Sequence, residues 1–256
     1  MTRLPDILLF RHAATDMGEG PRRYIGRTEV PLSDEGREQA AAWRPRMAGL
    51  AVARAYASPL ARARDTARLM LGQAECVHGG GRNCAVGGNG SPRVPEPRDP
   101  SGIRLTILPD LAEMDLGEWE GLAQSQVRET QPEAFARRGR EPWTFRPPGG
   151  ECCADVAARG LRALAAMLRD CAGEETRDDG IDTVREGAWP SLAGGAAVTA
   201  PFVLAVTHAG LIRAVLCALG RIGRDELFTL PVGHLHCVRL RPHDAGWRVV
   251  SADWTP

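Results

Sequence analysis

The chain contains no lysine, so all 32 of its basic residues are arginines. They are balanced by 32 acidic residues, and the formal net charge at pH 7 is zero. This balance gives no bulk electrostatic attraction to nucleic acid or to an anionic membrane surface. We therefore expect neither nucleic acid nor a membrane as a partner, whereas the many arginine side chains provide planar forks that suit a small oxyanion.

Long hydrophobic runs are also missing. No stretch approaches the roughly 20 apolar residues that a membrane span requires, and the apolar run near the N-terminus is too short for the core of a secretion signal. The seven cysteines are an odd number, and their spacing matches neither a zinc ribbon nor a small disulfide scaffold. These absences predict a cytoplasmic protein with free thiols and without a resident metal ion or cofactor.

One group of potential metal ligands lies in a glycine-rich stretch. It consists of Cys76, His78 and Cys84. A structural zinc site needs four ligands, and the fourth is missing here. We therefore expect no metal site at this position.

Strand-like and helix-like segments alternate along the chain. The strand patterns cover 7–10, 52–57, 104–108, 202–206, 234–240 and 247–251, and the helical patterns cover 34–47, 60–71, 119–129, 152–171 and 211–219. Ser33, which is followed by two acidic residues, is a suitable N-cap for the first helix. Such alternation predicts an α/β fold, a three-layer α/β/α sandwich in which helices cover both faces of a mainly parallel central sheet.

Two segments interrupt this pattern. Residues 75–101 are rich in glycine and proline and poor in core-forming side chains, and residues 173–200 have the same character to a smaller degree. Strand and helix patterns resume immediately after each segment, so we interpret both as flexible surface insertions. The whole of 1–256 is therefore predicted to form a single domain, which its length allows.

Side chains capable of chemistry follow four of the predicted strands. The first strand leads into LFRHAAT (9–15), which contains Arg11 and His12, and the other three lead to Arg62, Glu113 and His208. The carboxyl ends of parallel strands share one edge of a sheet, and ligands bind in the crevice along that edge. We therefore expect these five side chains to converge on one site.

This set has the composition of a phosphoryl-transfer site. Two guanidinium groups can bind phosphate by paired charge-assisted hydrogen bonds, a histidine can attack phosphorus, and a carboxyl group can protonate a leaving alkoxide and then deprotonate water. The arginines and the second histidine can supply positive charge without magnesium. Taken singly, Arg62 could pair with an acid on its own helix, Glu113 could be solvated and His208 could cap a helix. Their joint occurrence at strand ends favours the catalytic interpretation.

The same motifs resemble those of the histidine phosphatase superfamily, in the branch that contains the cofactor-dependent phosphoglycerate mutases. LFRHAAT is similar to the family's RHG signature, SPLARARDTA (58–67) to its second-arginine helix, LAEMDLGEWEG (111–121) to its acid motif and VTHAGLIRAVL (206–216) to its second-histidine motif. PPGGECCADVAAR (147–159) and YIGRTEVPLSDEGREQA (24–40) resemble two further family segments. The match covers nearly the whole chain apart from the two insertions, and it implies a phosphoglycerate mutase-like fold.

The resemblance assigns roles to the five core residues. His12 would be the phosphorylated nucleophile, and Glu113 would be the proton donor. The phosphate clamp would consist of Arg11, Arg62 and His208. The ligand would be a small phosphorylated metabolite, bound without a metal ion or cofactor.

Five residues around this core are expected to contact the substrate. They are Thr15, Gly18, Gly26, Arg27 and Trp143. The chain departs from the family pattern at Ala13, which replaces the glycine of RHG, at Gly18, where many members carry an asparagine, and at Cys152, which replaces a serine. Gly18 therefore removes one potential phosphate contact, and Cys152 is expected to be structural because no cysteine chemistry is required.

The substrate is less well defined than the reaction. Mutases of the family usually follow the catalytic glutamate with an arginine, whereas this chain has Met114 there. The change removes a natural partner for a substrate carboxylate and favours hydrolysis. A nearby cluster of Arg137, Arg138 and Arg140 could play a comparable role, although a solvated helix end is the more ordinary explanation.

The sequences LAEMDLGEWEGL and GRTEVPLSDEG most resemble the corresponding motifs of the α-ribazole phosphatases of cobalamin assembly. This resemblance implies α-ribazole 5′-phosphate as a candidate substrate. Trp143 and Phe145 could stack on its base, or they could pack a lid against the core. A phosphoglycerate mutase and a catalytically silent phosphate-binding regulator are the alternative functions, and a homodimer is compatible with the sequence. The presence of all five core residues argues against the silent regulator.

Overall fold

A computed structural model describes residues 4–73, 102–173, 202–244 and 246–252. Its strands are β1 (Asp6–Arg11), β2 (Val52–Ala57), β3 (Leu105–Ile107), β4 (Phe202–Thr207), β5 (Cys237–His243) and β6 (Gly246–Ser251). Its α-helices are α1 (Asp34–Ala41), α2 (Arg44–Ala48), α3 (Ala61–Leu71), α4 (Gln124–Thr130), α5 (Pro132–Arg140), α6 (Cys153–Ala172) and α7 (Ala209–Ala218). Short 3-10 helices cover Pro109–Leu111 and Gly117–Trp119.

The strands form one sheet in the order β3-β2-β4-β1-β5-β6. The first four strands of the chain run parallel to one another, β5 pairs antiparallel with β1, and β6 pairs antiparallel with β5. The prediction of a mainly parallel central sheet is therefore confirmed. The carboxyl ends of β1 and β4, which are neighbours at the centre, lie at the same edge of the sheet.

Helices cover both faces of the sheet, as the α/β/α prediction requires. Successive side chains of a strand point to opposite faces. Ile7 and Leu9 of β1 accordingly join the buried cluster that contains the apolar side chains of α6 and α7. Leu8 and Phe10 join the cluster on the other face, which contains residues of α1, α2 and α3. The four apolar residues of β1 thus alternate between two hydrophobic layers.

The first predicted helix, 34–47, is divided into α1 and α2. Pro45 explains the division, because proline has no backbone N–H and its ring would collide with the carbonyl four residues earlier in a continuous helix. The N-cap prediction is confirmed, since the N–H of Gly36 donates to Ser33 Oγ at 3.0 Å.

The predicted helix 119–129 begins only at Gln124. Gly121 has a φ of +75°, in the left-handed region, and separates α4 from the preceding 3-10 helix. Helix α5 was not predicted, because its nine residues, PEAFARRGR, include only one large apolar side chain and none that is fully buried. The insertion 75–101 lies outside the described residues, as does 173–200 except for Gly173, which ends α6. No helix in the described ranges is long and apolar enough to cross a membrane.

Candidate active site

Two histidines lie side by side at the central edge of the sheet. His12 follows β1 directly and His208 follows β4, and the N–H of His12 donates to Thr207 O at 2.9 Å. The centroids of the two imidazole rings are 5.2 Å apart. The pairing of β1 with β4 therefore fixes the distance between the predicted nucleophile and the second histidine.

The His12 ring is buried and held by its own main chain. Its Nδ1 lies 2.8 Å from Ala13 O. A carbonyl oxygen can only accept, so Nδ1 carries the hydrogen and Nε2 of the neutral ring keeps a lone pair. Burial, together with the positive charges of Arg11 and Arg62, holds the pKa of His12 well below its usual 6.5. His12 is therefore a neutral imidazole with a basic Nε2.

Arg11 is positioned by the loop between α7 and β5. Its guanidinium donates to Val232 O at 2.6 Å and to His234 Nε2 at 3.1 Å. Burial and the nearby Arg11 charge lower the pKa of His234 to about 4, so this ring is neutral and accepts. Arg11 Nε is buried and has no hydrogen-bond partner in the described part of the chain. The guanidinium thus has a donor left for a ligand.

Arg62 lies in the first turn of α3 and is 2% exposed. Its two terminal nitrogens donate to Thr28 O at 2.8 Å and to Gly26 O at 2.7 Å. The loop that contains these carbonyls is tied down by Glu120, which accepts from the N–H of Arg27 at 2.7 Å and from Thr28 Oγ1 at 2.7 Å. Each of these two terminal nitrogens carries two hydrogens and uses one of them here, so one on each is available for phosphate.

Glu113 follows β3 and the 3-10 helix Pro109–Leu111. Its carboxylate accepts from the N–H of Met114 at 2.8 Å and from the N–H of Gly210 at 3.1 Å. The approach to α7 is close, because a Cβ added to Gly210 would lie 2.3 Å from Glu113 Oε1. The first turn of α7 therefore defines where this carboxylate can be.

His208 is fully buried behind His12. Its Nε2 lies 2.7 Å from Ser58 Oγ, at the end of β2. Burial first, and then the electrostatic interaction with His12 and with the charge of Arg62, hold the pKa of His208 well below 6.5. Its Nδ1 is buried and lacks a hydrogen-bond partner among the described residues. This nitrogen therefore has a hydrogen-bonding capacity that no described residue satisfies.

A cavity of about 500 Å³ opens onto these residues. Of the side chains and glycines predicted for the site, the lining includes Arg11, His12, Thr15, Gly18, Arg62 and Glu113. His208 is not part of this lining, but its ring lies against that of His12, and its neighbours Ala209 and Gly210 line the wall. The structure thus brings the five core residues and two of the five expected substrate contacts together.

Three expected substrate contacts are not brought to the cavity lining. Gly26 and Arg27 belong to the loop whose N–H groups donate to Glu120. Gly26 O in turn accepts from Arg62, so this loop positions the Arg62 guanidinium. Trp143 packs against the α6 and α7 core and lies under the guanidinium of Arg224, 5.3 Å from the ring centroid. Phe145 is buried against Trp119, with ring centroids 5.4 Å apart. The packing alternative describes these two aromatic rings better than base stacking.

Several residues of the cavity lining were missed or given a different place in the sequence analysis, among them His234, Arg213 and Arg138. Arg213 lies on α7 and donates through Nε to Leu230 O at 2.9 Å. Arg138 of α5 lies over the ring of Phe228, 3.9 Å from its centroid, instead of pointing into solvent. The cavity therefore has more positive charge than the phosphate clamp alone supplies.

The Cys152 side chain, at the start of α6, is held by hydrogen bonds within the protein. Both the N–H and the Sγ of Cys152 donate to Asp155 Oδ2, at 2.8 and 3.0 Å. Burial and the adjacent Asp155 raise the pKa of Cys152, so the thiol stays protonated. Within the described ranges, no three His, Cys, Asp or Glu side chains are grouped as potential metal ligands. Cys76, His78 and Cys84 lie outside those ranges.

Comparison with known proteins places these features in one family. Residues 7–78, 97–176 and 188–255 match the family model of the histidine phosphatase superfamily (branch 1). A glucosyl-3-phosphoglycerate phosphatase of Mycobacterium tuberculosis is 29% identical over 250 residues, which cover 98% of this chain and 86% of the relative. A 2,3-bisphosphoglycerate-dependent phosphoglycerate mutase 2 of Gloeobacter violaceus is 28% identical over 220 residues, which cover 84% of this chain and 78% of the relative.

A solved structure agrees with this assignment. The native structure of a mycobacterial glucosyl-3-phosphoglycerate phosphatase superposes with a TM-score of 0.66 at 25% identity, covering 98% of this chain and 100% of that one. The family match extends over most of the chain and includes His12, Arg62, Glu113 and His208. The chain therefore belongs to the histidine phosphatase superfamily (branch 1) and is a phosphatase of that family.

Proposed function

We propose that the protein hydrolyses a phosphomonoester through a phosphohistidine on His12, without a metal ion. One observation carries this proposal: Nδ1 of His12 donates to the carbonyl oxygen of the next residue, Ala13, at 2.8 Å, which leaves Nε2 as the nucleophile beside two arginines. Charge-assisted hydrogen bonds from Arg11 and Arg62 would bind the phosphate oxygens and stabilise the negative charge of the transition state.

The reaction proceeds in two displacements. In the first, the lone pair of His12 Nε2 forms a bond to phosphorus, the ester P–O bond breaks, and Glu113 donates its proton to the leaving oxygen. In the second, the Glu113 carboxylate takes a proton from water, the water oxygen bonds to phosphorus, and the P–N bond breaks. Orthophosphate leaves, and His12 and Glu113 return to their initial protonation states.

The substrate that the cavity favours has a second anionic group. Arg213 and Arg138 line the cavity in addition to the clamp, and their charges are not needed to bind one phosphate. The name of the M. tuberculosis relative describes a phosphoglycerate ester, in which a carboxylate accompanies the phosphate. A phosphorylated acid of this type would give Arg213 and Arg138 a partner. The sequence analysis named Arg138 in a cluster that could take the place of the arginine missing at Met114, and its position in the cavity lining supports that alternative.

Two other candidates have support of their own. The motif wording that resembles α-ribazole phosphatases supports a benzimidazole nucleotide, and Phe228, which is 39% exposed at the cavity, offers a ring on which a base could stack. The similarity to the G. violaceus mutase supports transfer between positions of a phosphoglycerate. We favour hydrolysis because Met114 and Asp115 replace the residues that follow the glutamate in mutases.

A matched pair of esters tests the substrate class. We expect kcat/KM to be roughly 10- to 100-fold higher for 3-phosphoglycerate than for glycerol 3-phosphate, in which a neutral hydroxymethyl group replaces the carboxylate, since hydrogen bonds to charged groups contribute about 1.5–3 kcal/mol. Arg213→Met should remove most of this preference. Arg137→Met is the control, because Arg137 is exposed on α5 and pairs with Glu141 at 3.2 Å.

Several outcomes would contradict the proposal. A wild-type preference for α-ribazole 5′-phosphate, weakened by Phe228→Ala and not by Arg213→Met, would replace the acidic substrate by a nucleotide. Conversion of 3-phosphoglycerate to its isomer without release of orthophosphate would identify a mutase. Binding of phosphate without turnover of any ester would identify the silent regulator.

A further inference from the structure

Arg159 of α6 is a buried arginine outside the cavity, and its side chain binds the main chain of the segment 110–113, which ends at Glu113. Its Nη1 donates to Asp110 O at 3.0 Å and to Ala112 O at 2.6 Å, and its Nη2 donates to Glu113 O at 3.0 Å. The residue is 6% exposed. One guanidinium thus fixes three carbonyls that lead up to and include the predicted proton donor.

Glu151 completes this arrangement. Its two carboxylate oxygens accept from Nε and Nη2 of Arg159 at 2.8 and 2.9 Å, which is the paired geometry that gives strong ion pairs. Glu151 Oε2 also accepts from the N–H of Asp115 at 2.9 Å. Burial alone would raise the pKa of Glu151, but the hydrogen bonds from Arg159 and Asp115 lower it, so the carboxylate is ionised at neutral pH.

Apart from this pair, the main chain of the segment is bound before Glu113, where Thr207 Oγ1 donates to Leu111 O at 2.6 Å, and after it, where the N–H of Glu151 donates to Asp115 O at 2.8 Å. The 3-10 helix before Glu113 is a single turn, and the Glu113 carboxylate itself is bound by two backbone N–H groups, those of Met114 and Gly210. The position of the main chain therefore decides whether the carboxyl group reaches a leaving oxygen. Arg159 fixes the main chain up to Glu113, and Glu151 fixes it at Asp115.

We infer that Arg159 and Glu151 form a positioning pair that presents Glu113 to the leaving oxygen of the substrate. Neither residue is among those that line the cavity, so neither touches substrate there. Their effect on the reaction passes through Glu113. The inference rests on the proposed function, in which Glu113 donates the proton.

The test is a series of phosphomonoesters whose leaving groups differ in basicity, from 4-nitrophenyl phosphate to alkyl phosphates, compared by kcat/KM. Arg159→Lys keeps the positive charge, but one ammonium cannot replace a fork that binds three carbonyls and a carboxylate. We expect a loss of about tenfold or more for alkyl esters, because small misplacements of catalytic groups are costly, and a much smaller loss for the nitrophenyl ester. Glu113→Gln should give the same dependence with a larger amplitude.

Two further variants make the result specific. Arg162→Met is the matched control on the same helix, since its guanidinium pairs with the side chain of Asp110, at 3.2 Å, and donates to no main-chain carbonyl of the described residues. It should leave the whole series unchanged. Glu151→Gln, which is milder for folding, should reproduce the pattern of Arg159→Lys. In the Glu113→Gln background, Arg159→Lys should have almost no additional effect, because the group that it positions no longer transfers a proton.

The possible results separate the two hypotheses. If Arg159→Lys and Glu151→Gln reduce kcat/KM equally for every ester while Glu113→Gln discriminates among them, the positioning role is overturned and Glu113 keeps its function. If Glu113→Gln itself shows no dependence on the leaving group, the proposed proton donor is wrong, and the inference fails with it. Melting curves of each variant establish that folded proteins are compared.

Discussion

The N–H of Gly210 donates to the carboxylate of Glu113 at 3.1 Å, which joins the helix after the second histidine to the predicted proton donor. The contact crosses between segments that are 97 residues apart in the chain. It is close because residue 210 has no side chain: an added Cβ would lie 2.3 Å from Glu113 Oε1 and 3.0 Å from its carboxyl carbon. The acid can therefore take this position only beside a glycine.

Gly210→Ala should displace Glu113 and lower kcat/KM for alkyl phosphates by about 100-fold, in line with the cost of a catalytic group misplaced by about 1 Å. The control is Gly139→Ala on α5, where an added Cβ meets nothing within 4 Å. Steady-state kinetics of both variants check this. Unchanged activity of Gly210→Ala would mean that the Glu113 side chain does not need this position for catalysis.

The pH dependence follows from the lowered pKa of His12. Attack requires the neutral ring, and protonation removes its lone pair, so activity is lost only as the pH falls through the pKa of the folded protein. Burial and the neighbouring arginines hold that pKa well below 6.5. We therefore expect the acid limb of kcat/KM, after correction for the substrate's own ionisation near pH 6, to have its midpoint below 6.5.

Nitrogen NMR of the His12 ring measures the same quantity without substrate. The expected spectrum is that of a neutral ring with hydrogen on Nδ1 at pH 6.5. A titration midpoint at or above 6.5, or hydrogen on Nε2, would contradict the nucleophile geometry.

The convergence of the site at one sheet edge could be predicted from the sequence, and the reason is topological. Arg11, His12 and His208 directly follow or end strands that are parallel, so their placement requires only strand recognition and the rule that such strands end at one edge. Arg62 and Glu113 follow within one or two turns. The resemblance to the family motifs predicted the order of these elements along the chain. The apolar runs predicted which strands form the core of the sheet.

The part of the cavity lining that contains His234 and Arg138 could not be predicted in this way. β5 runs antiparallel to β1, so its amino-terminal end, with His234 just before it, lies at the same edge as the carboxyl ends of the parallel strands. Nothing in the strand pattern of 234–240 gives this direction. Arg138 belongs to α5, which has one large apolar side chain and no fully buried residue. Trp143 was considered for base stacking because its ring is flat, whereas it packs against the cluster that contains α6 and α7.

Metal independence is a prediction of the arginine clamp. Arg11 and Arg62 both line the cavity beside His12, and together they offer fixed positive charge to the phosphate. Activity on a phosphomonoester should therefore be unchanged after prolonged treatment with excess chelator, and vanadate should inhibit because it mimics five-coordinate phosphorus. Loss of activity on chelation, with recovery on adding magnesium or zinc, would show that the arginines are not the main source of charge stabilisation.

The central claim is that His12 becomes covalently phosphorylated, and trapping the intermediate tests it most directly. Brief mixing with substrate labelled in its phosphate, followed by a denaturing alkaline quench, should leave label on the protein that survives alkali and is lost in acid, as a phosphoramidate requires. His12→Gln should abolish the label, and His243→Gln, at the exposed far end of β5, should not change it. Label that resists acid and is found on serine, or undiminished label in His12→Gln, would contradict the account.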